Sequence, residues 1–140
     1  MKISLPMAAA LLALATSTRA AEPAPLPRIT PAQLEARIGK DAAPARDAEL
    51  LILDVRTAAE FAAGHLPGAV NVPHDEVVSR LPELSALRDK TVVLYCRSGR
   101  RSALAAGDLR AAGFTRLLQL DGDYPGWDDG QRPVERATTP

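Results

Sequence analysis

At 140 residues, with 46% hydrophobic and 24% charged side chains, the chain has room for one globular domain and too much apolar content for a disordered polymer. Its 17 basic and 17 acidic residues cancel, which removes any global electrostatic case for binding nucleic acid or an anionic membrane. The single cysteine excludes an internal disulfide, and 4% aromatic residues leave the core to aliphatic side chains.

Residues 1–20 are read apart from the rest. Lys2 gives a thin positive start, Ala8 to Ala15 an apolar run, and Thr18-Arg19-Ala20 a small-residue cleavage site, the layout of a secretory signal peptide. The rival reading is an uncleaved membrane anchor, but the apolar segment is interrupted by Pro6 and is shorter than the roughly 20 residues that span a bilayer. The expectation is export, to a periplasm, with no membrane attachment after cleavage. Removing Lys2 and Arg19 leaves 15 basic and 17 acidic residues, a formal charge of −2. An exported protein with one unpaired thiol is unusual, because exported chains commonly pair their cysteines.

Residues 21–28 (AEPAPLPR) have the composition of an extended, mobile tether, and residues 29–135 form the expected domain, followed by a polar tail at 136–140. Thr30 reads as a helix N-cap, with Pro31 in the first turn, Gln33 completing a capping box, Leu34 and Ile38 on one face and Gly39 as the stop. After a polar loop, Leu50 to Val55, apolar but for Asp54, reads as a strand buried on both faces, although periodicity alone also admits a buried helix segment. Thr57 caps a brief helix that Gly64 ends; His65-Leu66-Pro67-Gly68 is a turn, and Ala69 to Val72 a second short extended piece. From His74 to Leu87 the apolar spacing predicts two short helices divided at Pro82. Thr91 to Tyr95 is a strand, Ser102 to Ala112 a helix with Leu104, Leu109 and small alanines inward, Phe114 to Leu120 a further strand, and Asp121 to Trp127 a loop. Trp127 is expected to pack the C-terminal segment under the sheet edge, and His74 to lie on the surface. Alternating strands and helices predict an α/β domain: a small, mostly parallel sheet with helices on both faces. In such sheets ligands sit beyond the carboxyl ends of the strands, where both Cys96 and the Asp54 to Arg56 segment fall.

The chemistry concentrates in TVVLYCRSGRRS, residues 91 to 102. A lone cysteine is most often a small buried hydrophobe. Against that, Cys96 is followed by Arg97, Ser98, Gly99, Arg100 and Arg101, a basic loop that opens into a helix. An ordinary thiol is only a few per cent thiolate at neutral pH, and half-ionisation there requires roughly 2 kcal/mol of preferential stabilisation. A partly buried helix N-terminus supplies up to about 2 kcal/mol of this, and the same positive loop would gather an anionic substrate. Cys96 is therefore the candidate nucleophile, acting on something negatively charged.

Three motifs then occur in order: Asp54-Val55-Arg56 with Glu60-Phe61; Gly64-His65-Leu66-Pro67-Gly68-Ala69-Val70-Asn71-Val72-Pro73; and Cys96-Arg97-Ser98-Gly99-Arg100-Arg101-Ser102. Across about residues 29–135 the sequence resembles the single-domain rhodanese family. The resemblance implies a rhodanese-like fold and sulfur transfer: Cys96 takes the outer sulfur of a donor such as thiosulfate, becomes a persulfide, and passes the sulfur to cyanide, a thiol or a protein sulfur partner, with no metal or organic cofactor. A non-turnover persulfide carrier or protein-binding rhodanese module is the alternative. Dual-specificity phosphatases on the same scaffold use a C-x5-R loop; here Cys96 to Arg101 is C-x4-R, which favours sulfur transfer over phosphoester hydrolysis.

For the remaining residues, Arg97, Ser98, Gly99, Arg100 and Arg101 are expected around the substrate, and Asp54, Arg56, Glu60 and His65 in supporting roles. Arg101 is expected to turn inward to the carboxylate of Asp54, and Arg56 to pair with Glu60. His65 reads as a turn anchor, since a thiolate already deprotonated needs no general base. Where the family often carries paired glycines, Asp121-Gly122-Asp123 stands instead, putting two carboxylates near the loop.

Overall fold

The computed structural model describes residues 24–39 and 47–137. The signal-peptide region 1–20, residues 21–23 of the expected tether, part of the polar loop at 40–46, and residues 138–140 of the tail lie outside the described residues. Five strands, β1 (Arg28–Ile29), β2 (Leu50–Asp54), β3 (Val70–Asn71), β4 (Thr91–Tyr95) and β5 (Leu117–Leu120), form one sheet in the order β1-β5-β4-β2-β3. Every neighbouring pair is parallel. Between them run α1 (Pro31–Ile38), α2 (Ala58–Ala63), α3 (Leu81–Leu84) with a 3-10 turn at Ser85–Leu87, α4 (Arg100–Ala111) and, after the last strand, α5 (Asp123–Asp128).

The two central strands account for the topology. All five residues of β2 are buried, as are four of the five in β4, and they pair in register from Leu50 opposite Thr91 to Asp54 opposite Tyr95. Successive side chains of a strand point to opposite faces, so each strand feeds two cores. Leu51, Leu53, Val55, Val92, Leu94 and Cys96 meet Ala105, Ala106 and Leu109 of α4 on one face. Leu50, Ile52, Val93 and Tyr95 meet Leu34 and Ile38 of α1 and Trp127 of α5 on the other.

Local chemistry sets the helix starts. Thr30 and Gln33 form a reciprocal capping box on α1, the Thr30 hydroxyl accepting from the Gln33 N–H at 3.2 Å and the Gln33 side chain accepting from the Thr30 N–H at 2.9 Å. Thr57 and Glu60 repeat the device on α2, and Gly64 ends it. An alanine at Gly64 would place its Cβ 2.4 Å from the Tyr124 hydroxyl, so a side chain there would have to displace the end of Tyr124.

Several local expectations are corrected. Leu26 to Arg28, expected at the end of a tether, lie with Ile29 along the sheet edge: the Gln119 N–H donates to the Pro27 carbonyl at 2.8 Å and the Asp121 N–H to that of Ile29 at 2.9 Å. The first helix expected after His74 is instead a run of turns to Arg80, and Pro82 begins α3 rather than breaking a helix, because a first-turn proline forfeits no helical N–H bond. Leu104 points to solvent, and the small Ala105 and Ala106 bring α4 close to the sheet. The last strand is shorter than expected, Phe114 instead plugging the core as a buried loop residue. The expected loop at 121–127 contains α5.

Leu53, central in β2 and without exposed surface, tests this packing. Leu53→Ala should lower the unfolding free energy by about 2–5 kcal/mol, seen as a reduced urea midpoint at unchanged m. A loss below about 1 kcal/mol would contradict a closely packed two-faced core.

Candidate active site

Cys96 follows the last residue of β4, so its side chain falls on the α4 face. The chain then turns through Arg97, Ser98 and Gly99 into α4. Gly99 sits at φ 88°, a left-handed conformation that favours glycine, and this turns its N–H back to the Cys96 sulfur at 3.0 Å. Its carbonyl accepts from the Ala103 N–H at 3.0 Å as the first bond of α4. The sulfur is thus held at the positive end of a twelve-residue helix with a backbone donor on it.

The loop rests on α5. The Cys96 N–H donates to Asp123 Oδ1 at 2.8 Å and the Cys96 carbonyl accepts from the Tyr124 N–H at 3.0 Å. Gln119 donates its side-chain amide to the same Asp123 oxygen at 2.6 Å. Of the two carboxylates expected near the loop, Asp123 is buried against it, whereas Asp121 is exposed and pairs with Arg28 at 3.0 Å on the sheet edge.

A second polar cluster occupies the opposite face. Asp54 is fully buried; its carboxylate accepts from Arg56 Nη2 at 2.6 Å, from the Arg56 N–H at 2.9 Å and from the Tyr95 hydroxyl at 2.6 Å. Arg56 also donates to the Gly64 carbonyl at 2.6 Å, and its guanidinium lies 4.1 Å from the centre of the Tyr124 ring. Burial, then the Asp54 carboxylate, push the Tyr95 phenol far above its ordinary range, so the hydroxyl remains a donor to Asp54 while accepting from the Leu66 N–H at 3.1 Å. Asn71 closes the cluster by donating to the carbonyls of Asp54 and Arg56, both at 3.0 Å.

The ion pairs are therefore exchanged relative to expectation. Arg56 pairs with Asp54, and Arg101 forms a two-pronged pair with Glu60 at 2.7 and 3.0 Å. The reason is the pleat: Asp54 faces the same side as Tyr95, away from α4, so Arg101 on α4 meets Glu60 of α2. Hydrogen bonds from Arg101, reinforced by those from Thr57, hold the Glu60 carboxyl down at about 2. Glu60 thereby joins the start of α2 to the start of α4.

His65 is tied to α2 and to the C-terminal segment. Its Nδ1 lies 2.8 Å from the Phe61 carbonyl, its ring stacks on Phe61, and its backbone exchanges two hydrogen bonds of 2.9 Å with Glu135. Arg97, Ser98 and Arg100 are exposed at the rim of the loop, and His74 is half-buried rather than on the surface. Trp127 is buried, donating its indole N–H to the Pro133 carbonyl at 2.8 Å, which fastens the C-terminal segment as expected. A cleft of about 260 Å³ opens beside the loop, walled by Leu26, Arg28, Ser98, Gly99, Ala103 and Gln119. Sequence reasoning missed Gln119, Tyr95 and Tyr124 as parts of the site; the alternation of β4 and β5 carries the signal for the first two.

A parallel α/β domain with one cysteine in a short basic loop at a strand end defines the class, and comparison with known proteins specifies it. The rhodanese-like domain family matches residues 30–129, and the chain belongs to that family. A sulfurtransferase of Allochromatium vinosum is 39% identical over 86 residues, covering 61% of this chain and 78% of that protein. Thiosulfate sulfurtransferase 16 of Arabidopsis thaliana is 34% identical over 93 residues, covering 59% and 78%. Other relatives are matched over about half of their length, for example 51% of the Arabidopsis thaliana rhodanese-like domain-containing protein 15. The solution structure of the rhodanese-like domain of Anabaena sp. Alr3790 superimposes with a TM-score of 0.66 at 26% identity, covering 81% of this chain and 84% of that one.

Glu60 generates a pH test. Its folded value of about 2 lies below the ordinary 4.5, so its ionised form contributes stability that is complete above pH 4.5 and is lost as the pH falls towards 2. The pair is partly exposed, so Glu60→Gln should cost about 1 kcal/mol near neutral pH. That cost should shrink below pH 4.5 and approach zero near pH 2. A difference that stays constant from about pH 6 to about pH 3 would refute the pairing.

Proposed function

We propose that this chain is a thiosulfate-type sulfurtransferase with Cys96 as the sulfur-accepting nucleophile. The observation that carries the reading is the Gly99 N–H on the Cys96 sulfur at 3.0 Å, within a loop of four residues between Cys96 and Arg101. The thiolate attacks the outer sulfur of thiosulfate, the S–S bond of the donor breaks, and its electron pair leaves with sulfite. Cys96 then carries a persulfide anion whose terminal sulfur takes the place of the donor anion at the start of α4. Attack by cyanide or a thiolate on that terminal sulfur releases thiocyanate or a new persulfide and returns the thiolate. No proton is abstracted in either half-reaction, which fits the structural duty of His65. The exposed Arg97 and Arg100 attract the anionic donor, while Arg101, bound to Glu60, fixes the loop.

The relatives described as sulfurtransferases support the class, and the cleft beside Ser98 and Gly99 offers an approach for donor or acceptor. From residues 1–20 we further propose that the protein acts after export, which the N-terminal sequence of the purified mature protein tests.

Thiosulfate should add one sulfur to the intact protein, about 32 Da, at Cys96, and cyanide should remove it as thiocyanate. Cys96→Ser should lose both the adduct and turnover by at least about a thousandfold. Undiminished thiocyanate formation in that variant would sink the proposal. A stable adduct with negligible turnover would identify a carrier instead, and burst hydrolysis of an aryl phosphate would identify a phosphatase.

A further inference from the structure

Asp123 is an odd residue to find beneath an anion-handling loop. It is a non-glycine at φ 53°, 6% exposed, and the described partners of its carboxylate are neutral: the Cys96 N–H at 2.8 Å and the Gln119 amide at 2.6 Å. Its second oxygen lies 3.5 Å from the point at which a Cβ on Gly99 would stand, directly behind the residue whose N–H contacts the sulfur. The left-handed turn is served by glycine, as at Gly122 with φ 76°, or by asparagine. The Cys96 N–H is served by any amide oxygen. What only a carboxylate adds at this position is a negative charge, kept out of water at a desolvation cost.

We propose that Asp123 is a specificity-determining residue: its charge beneath the loop lowers the reactivity of Cys96 towards strongly anionic partners relative to less charged ones. A fixed charge acts on a dianion twice as strongly as on a monoanion and not at all, to first order, on a neutral molecule. Weak screening in the buried site preserves that difference. For the sulfurtransferase reading, on which the choice of substrates rests, this charge narrows the advantage of the dianion thiosulfate over monoanionic donors such as an organic thiosulfonate, so that both are used. Arg97 and Arg100 remain exposed and draw anions to the rim, whereas Asp123 acts where the sulfur is handed over.

The test uses the single cysteine. Iodoacetate and iodoacetamide alkylate Cys96 by the same displacement of iodide, differing in one negative charge, so a change in thiolate population or loop geometry alters both rates together. Their ratio reports the local field alone. Asp123→Asn keeps an oxygen acceptor for both donors and should raise the iodoacetate-to-iodoacetamide rate ratio by at least about threefold. In sulfur transfer, kcat/KM for thiosulfate relative to methanethiosulfonate should rise in the same variant. Asp123→Gly, which suits the positive φ, should raise the alkylation ratio equally and decides the matter if the asparagine variant does not fold. An unchanged or lowered ratio overturns the assignment, since a residue that only props the loop would slow both reagents alike. Failure of the wild-type protein to form a persulfide with either donor would instead overturn the sulfurtransferase reading and leave the alkylation result to judge Asp123 separately.

Discussion

Tyr95 and Cys96 are adjacent at the end of a pleated strand and must point to opposite faces of the sheet. Most of the molecule's polar organisation follows from this constraint. Tyr95, in register with Asp54, reaches into the α1 and α5 side and ties its hydroxyl to the buried carboxylate there. Cys96 reaches into the α4 side and meets the start of that helix. Because β4 lies between β2 and β5, the turns leaving all three strands gather around it, and each sends residues to the loop or its supports: Arg56 and Glu60 after β2, Asp123 and Tyr124 after β5. A parallel sheet collects its chemistry at the carboxyl ends of its strands for this reason.

The two ion pairs do different work. Asp54 with Arg56 is fully desolvated, and such a pair contributes little net stability compared with apolar residues of the same volume, although losing one partner strands the other at a cost of about 3–5 kcal/mol. Its contribution is geometrical. Between them the two side chains, with Tyr95, engage the N–H of Leu66 and the carbonyl of Gly64, so the turn after α2 is held at one height above the sheet. Glu60 with Arg101 is partly exposed and links two helix starts rather than two strands. Arg101, beside the Cys96 loop, is thereby occupied in holding α4 against α2, which leaves Arg97 and Arg100 as the exposed positive charge at the rim.

The sequence made the architecture legible wherever burial and period agree. The continuous apolar run of β2, the β-branched run of β4 and the two capping boxes are statements about backbone chemistry, and local residues decide them. Cys96 stands out in the sequence because arginines and a glycine follow it, and the structure buries its side chain in the α4-side core. The partners of Arg56 and Arg101 were misassigned, although the register of Asp54 with Tyr95 follows from alternation once the two strands are aligned side by side. Asp54 and Arg56, two residues apart, share a face and pair there, whereas Arg101 on the other face meets Glu60. β1 and α5 were harder: β1 is two residues long and owes its strand character to β5, and α5 contains Pro125 and Gly126, poor helix formers that tertiary packing overrides.

That overridden segment matters most to the site. The first two residues of α5 take both backbone groups of Cys96, Asp123 accepting its N–H and Tyr124 donating to its carbonyl. The peptide units on either side of the sulfur-bearing carbon are thus fixed from below, while the Gly99 N–H approaches the sulfur from the loop. In the proposed transfer the negative charge moves outward by one sulfur atom between thiolate and persulfide, and the backbone has no need to move. A cradle whose donors are set before the charge arrives loses nothing to reorganisation when it does, which is the condition under which backbone hydrogen bonds stabilise a displacement best. The same rigidity makes the identity of residue 123 consequential. On the proposed reading, a carboxylate fastened to the Cys96 N–H and the Gln119 amide keeps its charge beside every anion that reaches the sulfur.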